Sequence, residues 1–157
     1  MGMSTSPAPI AIVTGGSRGI GKSIALKLAE RGVDILLTYR ERADEARATV
    51  TEIEAKGRRG FALPLDLGRT ATFAAFVETV ERALEGRPLD YLVNNAGTGD
   101  AASFTEVSET DLDALLAVHF KGPFFLTQKL LPLMADGGAI VNVTSRPTIL
   151  RNRLPDT

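Results

Sequence analysis

The stretch TGGSRGIG, residues 14–21, constrains this chain more than any other. It follows the apolar run Ile10–Val13 and opens a segment with apolar residues at Ile20, Ile24 and Leu28, so it reads as a strand, a glycine turn and a helix start. The first turn of a helix has backbone N–H groups without intrahelical partners, and the summed peptide dipoles make that end positive. Such a turn suits a pyrophosphate. Gly15 is expected to take a positive φ, Gly19 to remove a Cβ that would strike the phosphate, and Gly21 to let the helix pack tightly on the strand. Ser17, Arg18 and Ile20 complete the loop and join the candidate binding residues.

The spacing admits three readings. Gly15, Gly19 and Gly21 depart from the GxGxxG order of the general dinucleotide fingerprint, while GSRGIGKS, residues 16–23, also satisfies the nucleotide-triphosphatase pattern GxxxxGK[ST]. A glycine-rich turn that only lets a strand and a helix pack is the third.

At 157 residues the chain has the length of one ordinary domain, enough to bury roughly 70% of its unfolded surface. Its net charge of -1 gives no global attraction to nucleic acid or an acidic membrane. Without cysteine, disulfides and thiolate metal sites are excluded, and a single histidine, His119, argues against a histidine-built metal site. Residues 1–9 lack the basic start and apolar stretch of a secretory signal, and no apolar run approaches the ~20 residues that span a bilayer. The expectation is a cytoplasmic protein with a loose tail over 1–9.

Downstream, helix and strand patterns alternate: a helix over 19–31 ending at Gly32, a strand over 33–38, a charged helix over 41–56, a strand over 60–66 and a helix over 70–84. A strand at Leu89–Asn94, a long helix over 108–134 and a strand over 139–144 follow. This order predicts an α/β domain over 10–145, a doubly wound parallel sheet of right-handed βαβ units, with an irregular tail over 146–157. In such sheets ligands lie beyond the carboxyl ends of the strands. Distinctive polar residues fall there after every strand: the glycine turn, Tyr39 and Arg40, Asp66, residues 94–97 and Ser145.

These residues together resemble the short-chain dehydrogenase/reductase family. TGGSRGIG is similar to its TGxxxGxG loop, Asp66 with Leu67 to its adenine-contacting pair, NNAG at 94–97 to its sheet-stabilising motif, and IVNVTS at 140–145 to the strand carrying its catalytic serine. The resemblance implies a Rossmann-like sheet of strand order 3-2-1-4-5, and hydride transfer between a nicotinamide cofactor and a carbonyl or secondary alcohol. It implies cofactor-binding roles for Asp66, Leu67, Asn94, Ala96 and Gly97, small residues at 96 and 97 letting ribose and nicotinamide pass and the Asn94 amide satisfying backbone groups of the neighbouring strand, and a carbonyl-polarising role for Ser145. Charge decides the cofactor: Arg40 after the second strand, with Arg18 across the loop, offers guanidinium donors to a 2′-phosphate, which predicts NADP(H).

Two departures stand out. Where similar chains have Asn in a segment like VNLKGPF, this one has VHFKGPF. Pro123, lacking an N–H, leaves the His119 carbonyl without its helical donor, so a water-holding role in the proton relay can survive the exchange. The family's YxxxK acid/base pair occurs nowhere, the two tyrosines being Tyr39 and Tyr91. The expectations are therefore an NADP(H)-dependent oxidoreductase that is incomplete or inactive as it stands, without the last strands of the family fold, or a non-catalytic dinucleotide-binding or interaction protein. A P-loop NTPase is the remote alternative. Apolar residues at 112, 115, 116, 120, 124 and 131 exceed one helical stripe and suggest a homo-oligomer.

Overall fold

A computed structural model of the chain describes residues 7–98 and 105–144. β1 (Ile10–Val13) runs into α1 (Gly19–Glu30), β2 (Asp34–Tyr39), α2 (Ala43–Glu54), β3 (Gly60–Pro64), a 3-10 turn at Thr70–Thr72 and α3 (Phe73–Leu84). β4 (Leu89–Asn94), α4 (Glu109–Leu116), a wide π-turn at Ala117–Lys121, α5 (Gly122–Leu130), a 3-10 turn at Leu131–Leu133 and β5 (Met134–Asn142) complete it. The five strands form one sheet in the order β3-β2-β1-β4-β5, every pairing parallel. The Rossmann-like architecture and its strand order agree with the sequence reading. No helix among the described residues is long and apolar enough to cross a membrane.

Parallel strands must be covered on both faces, and the strand period of two does this. Ile10 and Ile12 face a core layer with Leu36, Phe73, Val80, Leu92, Leu126 and Leu130, under α3 and α5. Ala11 and Val13 face the opposite layer with Ile35, Leu37, Ala25, Ile53 and Val93, under α1 and α2.

The stripe expected on α1 is displaced. Ile20 is 66% exposed, and the buried face is Gly21, Ala25 and Ala29, small residues that bring the helix close to the sheet. Gly32 ends the helix as expected: at φ +87° it lets Val33 N–H reach back to the Leu28 carbonyl at 3.1 Å, the six-to-one bond of a Schellman cap.

The long helix is broken. Ser108 starts α4 through a capping box with Asp111, but the wide turn then interrupts it, Gly122 N–H bonding the Ala117 carbonyl five residues back. Pro123 follows directly, so the carbonyl that loses its donor is that of His119 in the four-residue register and that of Val118 in the five-residue one. The helical run closes in the 3-10 turn Leu131–Leu133, which holds Pro132, and Met134 begins β5 instead of ending the helix. Three extra residues bulge from β5 between the Leu89–Met134 and Tyr91–Ala139 pairs, with Gly137 at φ +80°.

β2 opens on a buried carboxylate. Asp34 Oδ1 accepts from Arg58 Nε and from Arg59 N–H, both at 3.1 Å, and its Oδ2 accepts from Arg87 Nη1 at 3.0 Å. Burial pushes this carboxyl upward, but the Arg59 N–H and the Arg87 and Arg58 guanidinium groups outweigh it and hold Asp34 below the ordinary value of 3.8.

Candidate functional site

A cleft of about 640 Å³ opens over the carboxyl ends of the central strands. The glycine turn makes its floor, with Gly15, Ser17, Arg18, Gly19, Ile20 and Gly21 all in the wall. Tyr39 to Arg42 rise on the β2 side, Leu65, Asp66 and Leu67 come from the end of β3, and Asn95 to Thr98 from the end of β4. Segments far apart in the chain converge because the sheet aligns their strand ends.

Each glycine has its own reason. Gly15 sits at φ +67°, and a Cβ there would lie 2.9 Å from the Ala96 Cα. A Cβ on Gly21 would collide with the Gly15 carbonyl and the Asn95 side-chain amide, so the start of α1 seats directly on the turn. Gly19, at φ +57°, meets no protein atom. Its open side is cleft, and its demand for glycine is conformational.

The N-terminus of α1 points no side-chain cap at its own N–H groups, and its first turn holds no acidic residue. α4, by contrast, has both a capping box and acids in its first turn. An uncapped, acid-free helix start is the pattern that favours an anion from outside.

Three threonines and an asparagine that sequence reasoning missed hold the turn in place. Thr14, fully buried, accepts at Oγ1 from the N–H groups of Asn95 (2.9 Å) and Ala96 (3.0 Å), and its hydroxyl faces the Val93 carbonyl at 3.3 Å. Asn95 Nδ2 donates to the Thr14 carbonyl at 3.0 Å. Thr38 Oγ1 accepts from Gly15 N–H at 3.2 Å, and the Thr49 hydroxyl on α2 is shared between the Ser17 carbonyl at 3.1 Å and the Glu45 carbonyl at 3.0 Å. Only Thr14 and Asn95 had a signal in the sequence, their places inside TGGSRGIG and NNAG.

The charged residues fall on the rim. Arg18 and Arg40 are exposed in the cleft wall, and Arg40 Nε pairs with Glu41 Oε1 at 3.0 Å. Arg42, also in the wall, pairs with Glu45 at 2.8 Å. Asp66 Oδ1 accepts from Gly68 N–H at 2.9 Å. Lys22, which a triphosphatase would need at the phosphates, is outside the wall with its Nζ on Glu52 at 2.7 Å.

Two of the sequence candidates do not line the cleft. Asn94 is buried behind it, its Nδ2 on Asn142 Oδ1 at 2.9 Å and Thr127 Oγ1 at 3.2 Å, so it joins β4 to β5 and α5. It bonds side chains rather than the strand backbone expected from the sequence. The ring of His119 lies against Gly97, with Nε2 3.2 Å from Thr98 N and 3.1 Å from Thr98 O. Ser145 lies outside the described residues, as do the expected tail over 146–157 and most of the one over 1–9.

A family model described as short chain dehydrogenase matches residues 9–152. The 3-oxoacyl-[acyl-carrier-protein] reductase FabG of Staphylococcus epidermidis is 38% identical over 137 residues, which cover 86% of this chain and 55% of that protein. The (2S)-[(R)-hydroxy(phenyl)methyl]succinyl-CoA dehydrogenase subunit BbsD of Thauera aromatica is 37% identical over 139 residues, 87% of this chain and 55% of its own. A Burkholderia cenocepacia short chain dehydrogenase, crystallised in complex with NADP, superposes with a TM-score of 0.81 at 39% identity, covering 94% of this chain and 58% of that one. The angucycline C-6 ketoreductase LanV with bound NADP gives a TM-score of 0.83 at 40% identity, over 87% of this chain and 55% of its own. The chain thus spans about half the length of the curated relatives it matches.

Proposed function

The chain belongs to the short-chain dehydrogenase family, and on that premise we propose that it binds NADP(H) over the glycine turn, as the nucleotide-binding part of an oxidoreductase that interconverts a small-molecule carbonyl and a secondary alcohol. The observation that carries this reading is the uncapped, acid-free start of α1 opening into a cleft rimmed by Arg18 and Arg40. The first-turn N–H groups at Gly19, Ile20 and Gly21, with Ser17 beside them, would hold the diphosphate. Arg18 and Arg40 would meet a 2′-phosphate, Arg40 through the guanidinium nitrogens that Glu41 does not engage. The second oxygen of Asp66 would receive the adenine amino group, with Leu67 alongside. Ala96 and Gly97 would border the nicotinamide ribose, and Asn94 would keep β4 and β5 together behind them.

When bound, the nicotinamide supplies or takes up the hydride. Ser145 would polarise the carbonyl, but positioned acid/base catalysis contributes about 10²–10⁴-fold, and the sequence holds no YxxxK pair to provide it. This polypeptide by itself is therefore assigned cofactor binding without turnover, and its setting is read as cytoplasmic and homo-oligomeric. The test is thermal unfolding with either cofactor, followed by a carbonyl assay. NADPH is expected to raise the Tm more than NADH does, with no carbonyl-dependent NADPH oxidation above buffer. Better protection by NADH overturns the Arg40 assignment, and turnover overturns the absence of an acid. Lys22→Ala should leave NADPH protection unchanged, because that side chain is committed to Glu52.

A further inference from the structure

We infer that His119 is a positioning residue, whose imidazole latches Gly97 and Thr98 to the wide helical turn from behind the cleft wall and so sets the end of the cleft assigned above to the nicotinamide ribose. The inference rests on that assignment for its effect on cofactor, and on geometry alone for the latch.

Three observations meet at this residue. The wide turn at Ala117–Lys121 is centred on His119, and such one-residue expansions of a helix recur at functional sites because they re-aim side chains. Next, the imidazole dictates the residue opposite. A Cβ built on Gly97 would lie 2.6 Å from His119 Cε1, and the three atoms nearest to it all belong to that ring. The absence of a side chain at Gly97 thus leaves the room the imidazole occupies. Finally, Nε2 stands 3.2 Å from the Thr98 nitrogen and 3.1 Å from the Thr98 oxygen. A bare Nε2 accepts from the N–H and a protonated one donates to the carbonyl, so the ring holds Thr98 in either tautomer.

Gly97 and Thr98 line the cleft, as does Val118, whereas His119 itself does not. Its effect therefore passes through the segment it holds. Chain atoms between β4 and the cleft cannot drift while the ring covers Gly97 and Nε2 fixes Thr98.

Two substitutions separate packing from hydrogen bonding. His119→Phe keeps a ring over Gly97 and removes the polar atom; His119→Gln places an amide donor or acceptor at about the reach of Nε2. His119 is exposed, so both variants are expected to fold. NADPH affinity by fluorescence titration should weaken about threefold to tenfold in the Phe variant, the worth of one hydrogen bond, and return to within about twofold of wild type in the Gln variant. The Thr98 amide-proton or carbonyl-carbon NMR shift should move with Phe and return with Gln, measured without cofactor. Unchanged Thr98 shifts in the Phe variant, or a Gln variant that behaves like Phe, would overturn the latch. A wild type that binds no NADPH would overturn the cofactor assignment instead, and the Thr98 shifts would still decide the latch.

Discussion

Thr14 shows how much of this site depends on one oxygen. Its hydroxyl receives two backbone N–H groups from the segment after β4, and a buried donor deprived of its acceptor costs about 1–3 kcal/mol. Thr14→Val keeps the shape and strands both donors, so it is expected to lower stability by about 2–4 kcal/mol in urea titration, while Thr14→Ser stays near wild type. An unfolding midpoint of the Val variant equal to wild type would refute this account. Arg40 carries the charge argument. Hydrogen bonds to a charged group are worth about 1.5–3 kcal/mol, so Arg40→Ala should cut the NADPH-to-NADH affinity ratio at least about tenfold in paired titrations and leave the NADH value unchanged. The residues that would touch the cofactor were legible because their types are dictated locally: glycines where φ is positive, arginine where a phosphate is expected. Those that hold the turn were not. Thr14 stands inside TGGSRGIG, yet it, Thr38 and Thr49 find these partners 82, 23 and 32 positions away in the chain, and nothing beside a threonine announces a bond at that range. Asn94 was visible, but its direction was not, since its partners Thr127 and Asn142 come together only when α5 and β5 are in place.

At the scale of elements, strand and helix order was legible throughout because the apolar period changes at each glycine or proline. Faces and breaks were less so. On α1 the eye follows Ile20, Ile24 and Leu28, yet the sheet accepts Gly21, Ala25 and Ala29, since close approach favours the small face. Pro123 marked the weak point of the long helix, but the extra residue at Ala117–Lys121 had no local sign, and Gly122 after it sits where a Cβ would strike the Leu67 carbonyl. Asp34 is the element-scale surprise: an acid inside an apolar strand, joining the starts of β2 and β3 to the segment between α3 and β4 through Arg58, Arg59 and Arg87. Its folded pKa lies below the unfolded 3.8, so its contribution is complete above that pH and is lost as the pH falls through the folded value. Acid titration of the wild type should therefore show stability falling below pH 3.8 with a component that Asp34→Asn lacks. At neutral pH the same variant should be less stable by about 2–3 kcal/mol, short of the cost at a fully buried pair because both arginines remain partly solvated. Parallel acid profiles for the two proteins would contradict the assignment.

For the whole molecule, the two layers are unequal in what they leave to solvent. The sheet side under α1 and α2 closes well, with Ala25, Ala29, Ala46 and Ile53 at 0–2% exposure. The other end does not. β5 is an edge of the described sheet with Ile140 and Val141 at 40% and 50% exposure, and the rod from α4 to α5 presents Leu116, Phe120 and Phe124 at 50%, 69% and 57%. The aromatic rings form a continuous ladder, Phe120 stacked on Phe124 at 6.5 Å and Phe124 edge-on to Phe125 at 5.3 Å. Surplus apolar positions on this helix were legible in the sequence, but which of them are core was not: Leu126 and Leu130 are buried under the sheet while Phe120 and Phe124, on the same rod, point away. A single Phe in water is ordinary, whereas a contiguous aromatic patch, like an unpaired strand edge, is the kind of surface that associates. The isolated chain is therefore expected to sediment as a concentration-dependent oligomer. The double variant Phe120→Glu with Phe124→Glu puts like charges about one helical turn apart on that patch, where each copy would have to desolvate them. It should shift the protein to monomer and leave NADPH affinity as in wild type, because neither side chain lines the cleft. If the double variant sediments as the wild type does, the aromatic ladder is not what brings the copies together.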